Sequence, residues 1–258
     1  MKEILITNDD GYESDGLHAL IDALTPLAHL TVVAPANEKS ACGHSLTITK
    51  PLRFVSVGDD FYKLDDGSPA DCVYLGLCSL YTDRKPDLVI SGINRGANMG
   101  EDMTYSGTVA GAMEGVLQGV PSIAISQVMT KTDRGIFNYD LALAQKTIFT
   151  LTRLIFERGF PLGARQFLNV NVPNLHPSEC QGWQITRASE RIFGNMAERH
   201  TNPRGEEYFW LGSHPLRFTH TENGDFEAIT NGFVSITPAH CDLTAHSAIN
   251  DVRGWLKP

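Results

Sequence analysis

The sequence is short of positive charge. Its 21 lysine and arginine residues face 30 aspartate and glutamate residues, which gives a formal net charge of -9 at pH 7. Proteins that bind nucleic-acid polymers present a basic face, because the phosphate backbone must be neutralised. We therefore expect no nucleic-acid polymer as a partner. A small anionic substrate, held by a metal ion and a few local donors, is compatible with this composition.

The sequence also lacks the segments that mark membrane and secreted proteins. No apolar run approaches the length that spans a bilayer, and the first residues lack the apolar core and cleavage site of a signal peptide. The 5 cysteines are odd in number, and no two of them are separated by just two residues. Free thiols are therefore favoured over a disulfide framework or a zinc site. We expect a cytoplasmic protein without a membrane partner.

Several signatures of common catalytic sites are missing. The sequence has no Walker phosphate loop, no Gly-x-Gly-x-x-Gly after its first apolar segment and no His-Glu-x-x-His. Gly-x-Ser-x-Gly is absent too, which disfavours a serine-hydrolase nucleophile elbow. The two acids near the N-terminus are adjacent, so a phospho-aspartate phosphatase of the Asp-x-Asp type fits poorly.

Paired acidic residues follow the first apolar segment. Residues 4–7 have the composition of a central strand in a parallel sheet, and Asp9 and Asp10 come directly after them. Ligands of such sheets bind outside the carboxyl ends of the strands. Two adjacent carboxylates repel each other, so the pair indicates a compensating cation. A helix-capping turn with two solvated acids explains this stretch about equally well.

Apolar segments and amphipathic segments alternate from the N-terminus to Pro173. We predict further strands at 29–34, 87–90, 121–126 and 166–172, an extended segment at 46–57, and helices at 16–27, 68–81, 107–118 and 138–158. This alternation predicts an α/β fold with a mostly parallel sheet and right-handed crossovers.

The character of the chain changes after Pro173. Residues 1–173 form the predicted catalytic core, and residues 174–231, which are polar, predict β-hairpins that project from it. Residues 232–258 are predicted to return to the core as a strand and then form a tail. That tail places four apolar residues at helical spacing: Ala245, Ile249, Val252 and Leu256. Such a stripe needs to be buried, either on its own core or on another subunit.

Three loops that follow apolar strands carry polar side chains, and the ends of parallel strands converge at one sheet edge. The loops supply Asn8, Asp9 and Asp10; then Asn37, Lys39, Ser40 and His44; and then Ser91, Asn94, Arg95 and Asn98. Mg²⁺ and Mn²⁺ combine a few carboxylates with neutral oxygens and water. The carboxylates of the first loop, the Ser40 hydroxyl and the Asn94 amide form such a set. Ordinary turn chemistry is the alternative for Ser40 and Asn94.

Residues 105–111 open a predicted helix after the third loop. Free backbone N–H groups and the helix dipole favour an anion there, and Ser106 and Thr108 add hydroxyl donors. The alternative is that Ser106 only caps the helix. A cation site and an anion site at one sheet edge fit a phosphate ester that bridges them.

Two histidines are candidates for proton transfer. His44 lies in the second loop, and His240 follows a predicted strand, yet a structural role is favoured for both on the residues alone. Lys39 and Arg95 could bind phosphate oxygens, with surface solvation as an equal alternative.

Taken together, these stretches resemble the SurE family, the survival protein E 5′-nucleotidases. The similarity runs almost end to end and is weakest at residues 175–226. It is carried by ILITNDDG (4–11), VVAPANEKSACGHSLT (32–47), GSPADCVYLG (67–76), PDLVISGINRGANMGEDMTYSGTVAGAMEG (86–115), PSIAIS (121–126), LNVNVP (168–173), GFVSITP (232–238) and DLTAHS (242–247).

The resemblance implies a Rossmann-like core with one divalent cation per subunit, most often Mg²⁺ or Mn²⁺. Its metal ligands fall on Asp9, Asp10, Ser40 and Asn94. The implied activity is hydrolysis of nucleoside 5′-monophosphates, with 3′-nucleotides and short polyphosphate as further substrates of some members. A homodimer or homotetramer that exchanges C-terminal segments is also implied.

Our mechanistic hypothesis gives the two acids different roles. Asp9 orients or deprotonates the attacking water, Asp10 is mainly a metal ligand, and His240 is a weaker candidate for the proton donor. Four residues are expected to hold phosphate oxygens: Asn98, Ser106, Gly107 and Thr108.

Two other functions compete with this hypothesis. Receiver domains also place paired acids after their first strand, but they need an acceptor Asp after the third strand and a Lys after the fifth. Here the matching strand ends carry Ser91-Gly92 and Ser126-Gln127, so that reading lacks its key residues. A metal-dependent nucleotide-binding protein without turnover is the second alternative.

Overall fold

A computed structural model describes residues 1–131, 137–192, 197–211 and 217–257 of the chain. Its main strands are β1 (Glu3–Thr7), β2 (His29–Pro35), β3 (Phe54–Gly58), β4 (Phe61–Leu64), β5 (Leu88–Arg95) and β6 (Ser122–Gln127). After the short β7 (Thr130–Lys131) and β8 (Phe137–Asn138) come β9 (Gln166–Val172), β10 (Trp183–Ile185), β11 (Arg191–Ile192), β12 (Glu198–Thr201), β13 (Glu207–Trp210), β14 (Arg217–Phe218) and β15 (Val234–His240). The helices are α1 (Asp15–Leu24), α2 (Pro69–Ser79), α3 (Gly107–Leu117), α4 (Ala142–Arg158), α5 (Asp225–Thr230) and α6 (Ile249–Trp255), with 3₁₀ turns at Gly100–Thr104 and His246–Ala248.

Nine of these strands form one sheet in the order β10-β15-β9-β6-β5-β1-β2-β4-β3. β1 lies between β2 and β5 and runs parallel to both, so that Ile6 is level with Val32 and Ile90. Antiparallel pairing occurs between β3 and β4 and between β9 and β15. The prediction of an α/β fold with a mostly parallel sheet is confirmed.

Helices cover both faces of this sheet. Ile4 and Ile6 of β1 belong to an apolar cluster with residues of α1 and α4. Leu5, which points to the opposite face, packs with residues of α2. The alternation of side chains along a strand thus builds a three-layer core around β1. No helix in the described ranges has the length and apolar character needed to span a bilayer.

The segment 174–231 is only partly a set of projecting hairpins. β12 pairs with β13 and β11 pairs with β14, as hairpin-like pairs. β10, however, joins the edge of the large sheet beside β15, and α5 is a helix that the sequence pattern did not predict. Residues 193–196 and 212–216 of this segment, and Pro258, lie outside the described residues.

Two further predictions need refinement. In the region of the predicted extended segment 46–57, only residues 54–58 form a strand. β4 was missed because it has only four residues and polar residues flank it. The tail helix begins at Ile249, and Ile249, Val252 and Leu256 are all exposed in the single chain. The apolar stripe of the tail therefore has no cover within one described chain.

The close packing of α3 on the sheet gives a testable consequence. A Cβ added at Gly115 would collide with Ser122 Oγ and lie 3.0 Å from Val89 Cβ, whereas one at Gly254 in α6 meets nothing within 4 Å. We predict that Gly115→Ala lowers the free energy of unfolding by about 1–3 kcal/mol through overpacking. Gly254→Ala, the matched control, should be neutral or stabilising by up to about 1 kcal/mol, since alanine is the better helix former. Denaturant unfolding of both variants measures this, and equal effects would contradict the packing argument.

Candidate metal and phosphate site

The turn after β1 is held by Asn8 and not by the two acids. Asn8 Nδ2 donates to the Gly11 carbonyl at 2.9 Å and to Ser14 Oγ at 2.7 Å. Ser14 caps α1, because its side chain accepts from the Leu17 amide. The capping role that competed with a metal site is therefore filled by Ser14, and Asp9 and Asp10 have no part in it.

Asp9 is a buried carboxylate at the carboxyl end of β1, with 4% of its surface exposed. Burial raises its pKa to about 6; the hydrogen bond from Thr108 opposes this rise and the charge of Asp10 adds to it. The Thr108 hydroxyl donates to Asp9 Oδ1 at 2.5 Å. A carboxylate that is this buried and lies beside a second acid calls for a nearby positive charge.

Asp10 faces Arg95 of the third loop. Its Oδ2 accepts from the Arg95 backbone amide at 3.0 Å, and its Oδ1 lies 3.4 Å from Arg95 Nε. Burial raises the pKa of Asp10, although the contacts with Arg95 lower it. The net direction shows that burial outweighs the ion pair, so Arg95 compensates this acid only in part.

The second loop is tied to the first and to the start of α3. The Lys39 amide donates to the Asp9 carbonyl at 2.7 Å, and the Gly43 amide donates to the Tyr105 carbonyl at 2.9 Å. Ser40 Oγ donates to Glu38 Oε1 at 2.8 Å. Since that bond uses the hydroxyl proton, the lone pairs of Ser40 Oγ are available to a cation.

The third loop begins within β5, because the structure extends this strand to Arg95, whereas the sequence predicted its end at residue 90. Ser91, Asn94 and Arg95 therefore lie in the last, irregular part of the strand. The register between β5 and β6 shifts between Ser91 and Asn94. Asn94 Nδ2 donates to the Gly96 carbonyl at 2.9 Å. This bond uses the amide nitrogen, so the oxygen of Asn94 is the atom that remains as a neutral ligand for a cation.

One cavity of about 640 Å³ brings most of the predicted residues together. Its walls include predicted metal ligands and predicted phosphate-binding residues from the three loops and the start of α3: Asp9, Ser40, Asn94, Asn98 and Ser106. Asp10 is not among the lining residues, and its carboxylate contacts Arg95. The cavity also has walls that the sequence did not predict, among them Asp102, Arg191 and Leu211.

The start of α3 combines a cap with a very close approach to Asp9. Ser106 is the N-cap and accepts from the Val109 amide at 3.1 Å, as the capping alternative predicted. Its hydroxyl proton is still free to donate into the cavity. A Cβ at Gly107 would lie 2.8 Å from Asp9 Cβ and 2.9 Å from Asp9 Oδ2, so only glycine fits here. Thr108, predicted to hold phosphate, is fully buried and gives its hydroxyl to Asp9 instead.

Both candidate histidines line a separate, neighbouring apolar cavity of about 340 Å³, which shares Ser106 with the first. His44 Nε2 lies 2.8 Å from Glu114 Oε2. Burial opposes the ionisation of Glu114, yet the bonds from His44 and Gln118 hold its pKa below its usual range. His240 Nδ1 accepts from the Asp242 amide at 2.8 Å. The structure thus gives His44 a structural partner and leaves His240 next to the site without lining its cavity.

Two polar residues of the 174–231 segment hold the third loop, and neither was predicted from the sequence. Arg191 forms an ion pair with Asp102. Asp225 is fully buried and accepts from the amides of Gly100 at 2.7 Å and Ser189 at 3.1 Å. Asp225 could not be recognised from the sequence, because its partners are backbone amides at distant positions and no local pattern indicates them.

The donor set fits a hard divalent cation. Within the described ranges, no three side chains of His, Cys, Asp or Glu form a metal-holding group. A cation at this site would therefore be held by carboxylates and neutral oxygens, which is the composition that Mg²⁺ and Mn²⁺ accept. The raised pKa of Asp9 and the Asn94 amide, whose nitrogen is bonded to the Gly96 carbonyl, are the observations that support this fit.

Comparisons with known proteins agree along the whole chain. The family model described as Survival protein SurE matches residues 4–195. A protein of Aliarcobacter butzleri named 5′-nucleotidase SurE is 56% identical over 260 residues, covering 99% of both chains. Another of that name, from Nitratiruptor sp., is 58% identical over 260 residues and covers 99% of this chain and 100% of its own. The crystal structure of the SurE protein from Aquifex aeolicus superposes with a TM-score of 0.85 at 39% identity and covers 99% of this chain and 100% of that chain.

The bond between Thr108 and Asp9 can be tested directly. We predict that Thr108→Val weakens binding of Mn²⁺ or Mg²⁺ by about 10–100-fold, since loss of a hydrogen-bonding partner of a metal ligand typically lowers metal affinity by this factor. Thr108→Ser, which keeps the hydroxyl, should bind the metal nearly as the unaltered protein does. Calorimetric titration of each protein with the metal alone measures the effect, and equal affinities in the two variants would rule out this role.

Proposed function

The chain belongs to the SurE family, and we propose that it is a 5′-nucleotidase, which hydrolyses nucleoside 5′-monophosphates to nucleoside and inorganic phosphate with the aid of a divalent cation. The observation that carries this proposal is that Asp9, Asn94 and the N-terminus of α3 meet in one cavity. A phosphate ester needs a cation on one side and N–H or O–H donors on the other, and this cavity offers both.

The proposed cation is one Mg²⁺ or Mn²⁺ per subunit. Its ligands would be oxygens of Asp9, Asp10, Ser40 and Asn94. When bound, such a cation supplies Lewis-acid chemistry, because it offsets charge on the phosphoryl group and makes water more acidic.

The protein's own groups divide the remaining work. Asp9 orients the attacking water and takes its proton, as the oxygen of water forms a bond to phosphorus. The bond between phosphorus and the ester oxygen breaks, and that oxygen leaves on the nucleoside and takes a proton from His240. His240 lines the adjacent cavity, which shares Ser106 with the first, and this position supports the assignment. An unchanged pH profile of kcat in His240→Ala would remove this residue from the mechanism.

The start of α3 would hold the phosphate. Ser106 Oγ and the backbone amide of Gly107 would donate to the anion, and Asn98 would add a side-chain amide. Gly107 would contribute its backbone, which no side chain obstructs. Thr108 would act on Asp9, and not on the phosphate, because its hydroxyl is already committed.

We also propose that the chain is cytoplasmic and that it assembles as a homodimer or homotetramer through its C-terminal segments. The uncovered apolar residues Val252, Trp255 and Leu256 of the tail support this assembly. Light scattering that gave the mass of a single chain would contradict it.

The activity is tested with a panel of substrates and metals. We expect phosphate release from AMP or another 5′-nucleotide with Mn²⁺ or Mg²⁺, and loss of release when a chelator removes the metal. Asp9→Asn, which keeps the shape of the side chain, should abolish turnover and leave the melting temperature close to that of the unaltered protein.

The outcomes of this panel separate the competing functions. Nucleotide binding without phosphate release from any nucleotide or polyphosphate would favour a non-catalytic binding protein. Incorporation of stable phosphate into the protein itself would favour a receiver-like domain. Near-normal turnover in Asp9→Asn would remove Asp9 from the mechanism.

A further inference from the structure

Strand β9 carries two asparagines on one of its faces. Asn169 and Asn171 are two residues apart, so they point to the same side of the sheet, and both are fully buried. The alternate residues Leu168, Val170 and Val172 belong to the apolar core with α1 and α4. A buried amide is costly unless it is hydrogen-bonded, and an apolar side chain would fill the same space at lower cost. These asparagines therefore need a reason beyond packing.

Their partners lie in the third loop. Asn171 Oδ1 accepts from the Asn98 backbone amide at 2.8 Å, and Asn171 Nδ2 donates to the Asn98 carbonyl at 3.0 Å. Asn169 Nδ2 donates to that same carbonyl at 2.8 Å. The side chain of Asn171 thus hydrogen-bonds both the backbone amide and the carbonyl of Asn98, as the backbone of a neighbouring strand would.

The side chain of Asn98 is held as well. Asn98 Nδ2 donates to Ser126 Oγ of β6 at 2.8 Å. This bond uses one of the two hydrogens on Nδ2, so the other is available to a ligand. Asn98 lines the cavity that contains Asp9, Asn94 and Ser106. Backbone and side chain of this residue are therefore fixed at the wall of the proposed phosphate site.

We propose that Asn171, assisted by Asn169, is a positioning residue that sets the Asn98 amide for the substrate phosphate. The inference rests on the proposed function, because it assumes that a phosphate occupies this cavity. Asn171 itself does not line the cavity and acts only through Asn98. A loop after a strand end is mobile without such anchors, and misplacing a binding group by about 1 Å is enough to cost about 100-fold in rate.

A matched control separates positioning from general stability. Ser235 lies opposite Asn171 on β15, is also fully buried, and forms a 2.8 Å hydrogen bond with Thr186 Oγ1. Ser235→Ala therefore loses a buried hydrogen bond in the same part of the sheet, away from the third loop. Asn171→Ser shortens the side chain and breaks its contacts with Asn98. If Asn171→Ser fails to fold, Asn169→Ala, which removes only one of the bonds to the Asn98 carbonyl, takes its place.

The decisive experiment is a double-mutant cycle with Asn98→Ala, read by kcat and KM for AMP with Mn²⁺. We expect Asn171→Ser and Asn98→Ala each to lower kcat/KM by about 10–100-fold, and the double variant to fall no further than the worse single variant. Ser235→Ala should keep kcat/KM within about threefold of that of the unaltered protein, even if its melting temperature falls as much as that of Asn171→Ser. Multiplicative losses in the double variant, or an equal loss in Ser235→Ala, would overturn the inference.

A second readout does not depend on turnover. Inorganic phosphate, titrated into the Mn²⁺-loaded protein in a calorimeter, should bind about 10-fold or more weakly to Asn171→Ser than to Ser235→Ala. If the unaltered protein releases no phosphate from AMP, the proposed function fails and this titration still decides the positioning role. Equal phosphate affinities in the two variants would overturn it.

Discussion

The site depends on a carboxylate that is buried where the central strand meets a helix N-terminus. Asp9 emerges from β1 directly beneath the first turn of α3, and the Thr108 hydroxyl is bonded to it. Burial raises the pKa of this acid, whereas the positive end of the helix dipole and the Thr108 bond favour its charged form. A divalent cation beside Asp9 would complete this balance.

The close approach of α3 to the sheet makes this arrangement possible. Gly107, Gly111 and Gly115 stand four residues apart on the helix face that touches Asp9, Ser91 and Val89. Side chains at these positions would push the helix away from β1 and β5. The same contact that packs the core therefore brings the amides of α3 within reach of the acids. Structural and functional constraints coincide along this one helix face.

The sequence predicted those parts of the structure that depend on local pattern. The apolar residues of β1, the Ser68-Pro69 start of α2 and the small residues of α3 predicted elements that the structure contains. The carboxyl ends of parallel strands meet at one edge of the sheet, and this rule predicted that the polar residues after those strands lie together. The structure brings four of them into one cavity: Asp9, Ser40, Asn94 and Ser106.

What the sequence could not predict depends on contacts between distant residues. Thr108 was expected to bind phosphate, and only the packing of α3 on β1 shows that its hydroxyl is used by Asp9. Asp225 and Asn171 act on the third loop from positions far along the chain, where no local spacing indicates a partner. β10 has three residues, and short edge strands of this kind carry too little periodicity to be recognised.

The central claim is that the paired acids of the first loop hold a divalent cation together with neutral oxygens of the other two loops. A crystal of the protein soaked in Mn²⁺ and measured at a wavelength where manganese scatters anomalously tests this most directly. We predict one strong anomalous peak per chain, within coordination distance of Asp9, Asp10, Ser40 and Asn94. A peak elsewhere, or no peak at this sheet edge in a fully soaked crystal, would contradict it.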